Sequence, residues 1–185
     1  MLPYAYGIYR GAIVANRVSW SIWAFIGSVF FLTTLTNPNN DFISVLYAFA
    51  VMFNPVVIVL MSVFRGRTLP VLIYEKAALV IALLAMILWM SLQGNTSVVP
   101  LFLAILADAS ALVPTLVFVY RHPEDDRPLM WFLFFIGTAF SIAGIQHYTL
   151  QTLMLPGYML LGTLSVLFPL VRYRLRKGVP LKAWM

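Results

Sequence analysis

Asp108 is a carboxylate set in the middle of an apolar run, Val98–Tyr120, and is the residue of this sequence best suited to chemistry. In such surroundings a carboxylate can hold a proton, hydrogen-bond a polar solute, or join two helices. Pro114 interrupts the same run, and Tyr120-Arg121, the loop HPEDDRP and Trp131 follow. Asn54-Pro55 interrupts a second apolar run, Phe42–Phe64: the proline frees a backbone carbonyl and kinks a helix, and the asparagine adds a side-chain amide. The other reading of Asn54 is a hydrogen bond between packed helices. Asp108 and Asn54 are therefore the candidate solute-contacting residues, and Pro114, Pro55 and Pro3 the candidate hinges.

Other chemistries find no residues to perform them. The chain has no cysteine, which removes disulfides, thiolate catalysis and cysteine metal sites. There is no glycine-rich phosphate loop, no HExxH and no serine with a recognisable base, so neither enzymatic activity nor a cofactor is expected. His122 and His147 fall in loops expected on opposite sides, and neither has a ligand pair at metal spacing. The last apolar run lacks the lysine that a retinal Schiff base requires.

The elements that position these residues follow from composition. The chain is 62% hydrophobic and 10% charged, with a mean hydropathy of +0.93. A soluble domain is about one quarter charged, so this composition predicts an all-α integral membrane protein whose first partner is the lipid bilayer. Apolar runs occupy Val18–Thr36, Phe42–Phe64, Val71–Leu92, Val98–Tyr120, Leu129–Ile145 and Leu153–Val171. Most are long enough for a span of about 20 residues. Asp108 then lies about 15 Å along its helix, near mid-bilayer. A carboxylate there costs at least ~2.5 kcal/mol on the lenient insertion scale. It should face the bundle interior, with Ser110 or Asn54 as partners, or take up a proton. Glu75 and Lys76, near the start of the third run, are expected to reach the headgroups.

All twelve Lys and Arg residues fall on one side if the chain crosses at every run. The loops around Asn37–Asp41, Gly94–Ser97 and Gln146–Gln151 contain none. This positive-inside pattern predicts a cytoplasmic C-terminus, with no signal peptide. The basic residues sit at the ends of apolar runs rather than on a soluble face, so no nucleic acid partner is expected. Tyr9, Trp20, Tyr120 and Trp131 flank charged loops and are expected to be interfacial anchors. Trp23 and Trp89 are expected to pack, the HPEDDRP loop to be a solvated turn, and Gly27, Ser28, Gly137 and Thr138 to allow close helix approach.

A repeat organises the runs. Pro3, Tyr9, Arg10 and Trp20 recur as Pro114, Tyr120, Arg121 and Trp131 at a constant offset of 111, and FIGSVF at Phe25 recurs as FIGTAF at Phe135. The expected organisation is a three-helix unit at 1–67, a linker helix at 68–95, a second three-helix unit at 96–177 and a cytoplasmic tail at 178–185. An odd linker gives both units the same orientation, related by an axis along the membrane normal. The counterpart of Val98 would fall before Met1, so the first helix is expected to be incomplete.

A 3+1+3 arrangement with prolines at matching positions resembles the SWEET and PQ-loop group of membrane proteins, and within it a small bacterial branch with a P…Y-R…W loop. The proline-glutamine dipeptide of the group is replaced here by Ala15-Asn16 and Arg127-Pro128. The resemblance implies a central cavity between the units, hinge prolines at Pro3 and Pro114, and a substrate-facing asparagine at Asn54, with Phe168 where its partner would fall. It further implies a transporter of a small-molecule solute such as a sugar or vitamin. A non-transporting membrane adaptor or receptor on the same scaffold is the alternative. A conducting pore would need the chain to form a homo-oligomer, since one Asp108 makes no charge ring.

Overall fold

The structure, a computed structural model, describes residues 2–36, 42–64, 71–92, 99–145 and 148–184. The loops expected opposite the basic side, and Arg65 to Arg67, lie wholly or partly outside these residues. Among the described residues there are seven α-helices and no strand: α1 (Leu2–Tyr9), α2 (Arg17–Thr36), α3 (Phe42–Phe64), α4 (Ile73–Ser91), α5 (Val99–Arg121), α6 (Pro128–Ala143) and α7 (Leu150–Arg176). A 3-10 turn, Leu181–Trp184, closes the chain. Three stretches are long and apolar enough to cross a membrane: Ile73–Ser91, Leu101–Arg121 and Leu153–Arg176. Shorter apolar stretches, Arg17–Leu32, Ala48–Phe64 and Pro128–Ala143, lie in α2, α3 and α6.

Local chemistry sets the ends of these helices. Gly11 adopts a positive φ of 70°, and its N–H and that of Ala12 return to the Ile8 and Gly7 carbonyls, which closes α1. Gly178, at φ 62°, follows α7 in the same way, with the Val179 N–H bonded to the Arg174 carbonyl. Pro123 follows α5, and Pro128 opens α6 at a position where a missing N–H costs nothing. α3 and α5 remain single helices through Pro55 and Pro114.

α3 packs against α1 and α2, and α7 packs against α5 and α6. α4 lies against α5 and, less extensively, α2, while α2 and α5 also meet directly. Small residues make the α4 contact possible. Ala78, Ala82 and Ala85 form a stripe on α4 that is buried with Ala107 and Ala111 of α5. Leu79, Val80, Leu83, Leu84, Ile87 and Leu88 leave the rest of α4 exposed and apolar.

Gly27 has the tightest of the expected close approaches. A Cβ there would lie 2.8 Å from the Met52 Cα and 3.0 Å from the Val51 carbonyl oxygen, both backbone atoms of α3. Gly137 differs, since nothing lies within 4 Å of a Cβ at that position. Ser28 and Thr138 each bond back to a carbonyl of their own helix, Ala24 and Phe134. Overpacking against a backbone costs ~1–3 kcal/mol. Gly27→Ala should therefore lower the thermal unfolding midpoint in detergent by several degrees, whereas Gly137→Ala should leave it unchanged or raise it. Equal midpoints for the two variants would refute the α2–α3 contact.

Candidate functional site

A cavity of about 520 Å³ lies among α2, α3, α5, α6 and α7. From α5 come Asp108 and Leu112, and from α3 Val51, Asn54 and Pro55. α7 contributes Tyr158, Gly162 and Thr163, and α6 contributes Leu133 and Phe134. Trp20, Trp23 and Trp131 line it from the first turns of α2 and α6. Its volume falls in the usual range for small-molecule sites, ~300–1,000 Å³, and its wall is chiefly apolar with a few polar groups.

Asp108 meets α7 across this cavity. The Tyr158 hydroxyl donates to its Oδ2 at 2.6 Å, and the Trp23 indole is close enough to interact with the same carboxylate. Ser110, an expected partner, instead donates to the Ala107 carbonyl one turn back at 2.6 Å. Asn54 lines the same cavity from α3, without a hydrogen bond to Asp108 among the described contacts. Pro55 also lines it, Pro114 is buried in α5, and Pro3 belongs to α1, its side chain lying outside the described residues.

The tryptophans depart from expectation. Trp20 and Trp131 are only 7% and 6% exposed, and Trp23 lines the cavity rather than merely packing. The ring centroids lie 5.0 Å apart for Trp20–Trp23, 6.2 Å for Trp23–Trp131 and 6.3 Å for Trp20–Trp131, with Tyr4 5.9 Å from Trp20. Clustering is favoured because each ring buries a large apolar area and tilted pairs match edge to face. Tyr9 and Tyr120 are half exposed, at 50% and 57%.

One network fixes the cluster. The Trp131 indole N–H donates to Asp126 Oδ2 at 3.1 Å, and the Arg127 N–H donates to Oδ1 at 2.6 Å. Tyr4 of α1 is close enough to interact with the same carboxylate. Arg174, 1% exposed at the end of α7, donates to the carbonyls of Pro123 (3.0 Å), Leu170 (3.2 Å) and Asp126. The Val14 N–H bonds to the Asp125 carbonyl at 2.7 Å, tying the segment after α1 to the same loop. The HPEDDRP loop is thus no plain solvated turn: Asp126 is buried in it, 3% exposed. On its outer face the ligand atoms of His122, Glu124 and Asp125 lie within 4.8 Å of one another, a grouping that the spacing analysis did not anticipate.

A second polar contact also overturns an expectation. Glu75 is buried rather than extended to the headgroups: Oε1 accepts from Asn16 Nδ2 at 2.6 Å, and Oε2 from the Leu72 N–H at 2.7 Å. Asn16 Oδ1 in turn accepts from the Ser19 N–H at 3.0 Å, capping α2. Its neighbour Arg17 donates to the Ser62 carbonyl of α3. Comparison of the chain with protein-family models, curated proteins and solved structures returned no match in any of the three.

Burial raises the Asp126 carboxyl from its usual value to about 6, against the opposing pull of its Arg127, Trp131 and Tyr4 donors and the Arg174 charge. A folded-state value above the unfolded one means that the native state holds the proton more tightly. The stabilisation is then full below about pH 4 and is lost as pH rises through about 6. The unfolding free energy should accordingly fall between pH 4 and pH 7, by an amount on the order of 2 kcal/mol at this residue, and the thermal midpoint with it. Asp126→Asn should flatten that slope, and an unchanged slope in the variant would show that other groups are responsible.

Proposed function

We propose that the chain is a small SWEET-like carrier that moves a small polar solute, of the size of a sugar or a vitamin, through this cavity. The observation that carries the reading is the cavity itself, in which Asp108, Tyr158, Asn54 and Thr163 are set in an apolar wall built from helices of both halves. In this reading α1–α3 and α5–α7 are the two three-helix units, residues 1–67 and 96–177, and α4 is the linker within 68–95. The shared pattern, with the third helix of each unit packed on the first and second, supports it. Transport proceeds by rocking of one unit against the other around a midplane site. Asp108 and Asn54 contact the solute, and Pro55 and Pro114 absorb the helix bending.

The basic ends of the helices are cytoplasmic in this proposal, in a bacterial inner membrane, and the tail from residue 178 is cytoplasmic as well. The Trp20–Trp23–Trp131 cluster then occupies the cytoplasmic end of the cavity, backed by the Asp126–Arg174 network.

Proteoliposomes offered a pool of labelled sugars, amino acids and vitamins should accumulate at least one of them. Asp108→Asn should reduce that uptake by ten-fold or more while leaving the thermal midpoint near that of the wild type. Uptake of the whole pool no greater than that of empty liposomes, from a folded protein, would sink the carrier and favour an adaptor. Because the chain lacks cysteine, topology can be read with single introduced thiols. An impermeant maleimide added outside intact cells should label Tyr148→Cys and spare Lys182→Cys. The reverse pattern would invert the assigned orientation.

A further inference from the structure

The chemistry of the cavity wall narrows the solute class, an inference that rests on the cavity being a solute site as proposed above. Among the described lining residues Asp108 is the one that bears a formal charge, and none is lysine, arginine or histidine. The side chains nearest its carboxylate, Tyr158 and Trp23, are neutral donors. The protein therefore supplies no countercharge at this point. Asp108 is partly buried, and a carboxylate set in an apolar wall is costly without one.

The same wall holds three indole rings within 6.3 Å of one another, with Tyr158 beside Asp108 and Phe134 on α6. Aromatic faces carry negative charge density and attract cations within about 6 Å of the ring centre. A carboxylate and a set of such rings together repel anions. A neutral polyol fares poorly as well, because each unpaired hydroxyl carries a desolvation cost, and beyond Asp108 and Tyr158 the lining offers little more than Asn54 and Thr163 as side-chain partners. An organic cation satisfies both features, with its charge at the carboxylate and rings and its apolar body along Leu112, Leu133 and Phe134.

We propose that the cavity binds an organic ammonium ion, held between the Asp108 carboxylate and the Trp20, Trp23 and Trp131 rings. The test is a tryptophan-fluorescence titration of the full chain in lipid nanodiscs with four probes that share one body: benzylammonium, benzyltrimethylammonium, benzyl alcohol and benzoate. The two cations should bind at least ten-fold more tightly than benzyl alcohol, and benzoate more weakly still. Asp108→Asn should erase the cation preference, and Trp23→Leu should weaken cation binding several-fold more than Trp23→Phe does. Should Asp108→Asn fail to fold, the wild-type probe series decides alone. Benzyl alcohol or benzoate binding as tightly as the cations would overturn the assignment, as would a preference that survives in folded Asp108→Asn. Cation binding without uptake into proteoliposomes supports this assignment and removes the transport reading. Uptake of neutral solutes without cation preference overturns this assignment and leaves the transport reading standing.

Discussion

The guanidinium of Arg174 is buried at the end of α7, and the architecture of that end of the molecule follows from the need to satisfy it. A buried cation is costly unless carbonyls or carboxylates take up its donors. Here Nη1 donates to the carbonyls of Pro123 and Leu170 and Nη2 to that of Asp126, while Nε has no partner among the described residues. The loop is therefore shaped around a side chain that lies 48 to 51 residues downstream of its partners there. Its shape sets the Asp126 carboxylate, which accepts from Trp131, and Trp131 in turn packs on Trp20 and Trp23. Three indoles of the cavity wall thus depend on one charged residue that never reaches the cavity.

Different contacts have different stiffness, which bears on how a carrier of the proposed kind would move. α2 and α3 approach to backbone contact at Gly27, and a repeat of small residues seats α4 on α5. Such contacts tolerate little sliding, because a close-packed interface has few alternative arrangements. Across the cavity, the contacts are a ring cluster, a Tyr158–Asp108 hydrogen bond and the α2–α5 crossing. Aromatic side chains and one hydrogen bond re-form at modest cost. Motion in the proposed cycle therefore belongs between the units, with α4 carried along by α5.

The Asn16–Glu75 pair couples α4 to the start of α2 with a buried, doubly used carboxylate. Along the helix, the alanine stripe packs with Ile22 and Ile26 of α2 as well as with Ala107 and Ala111 of α5. α4 thus ties α2 to α5, and it brings the first turns of α2, where Trp20 and Trp23 reside, under the same constraint.

Apolar runs, prolines at their interruptions and the placement of the twelve basic residues near alternate gaps between the runs are written along the chain itself. From these the helical class, the helix order and the position of Asp108 deep in an apolar helix are legible, because hydropathy and length act on each segment separately. The sequence by itself determined which segments must be helices and that Asp108, deep in one of them, would need a partner or a proton. It did not determine the partners. Tyr158 for Asp108, Asn16 for Glu75, Trp131 for Asp126 and loop carbonyls for Arg174 are pairings that join residues of different helices, most of them distant in the chain, or a helix to a loop. Trp20 and Trp131, which the sequence pattern placed at the interface, are instead buried edge to face against Trp23, a contact between helices that no single segment encodes. Periodicity is a property of one helix, whereas the satisfaction of a buried charge is a property of the whole packed bundle, and only the tertiary structure decided it.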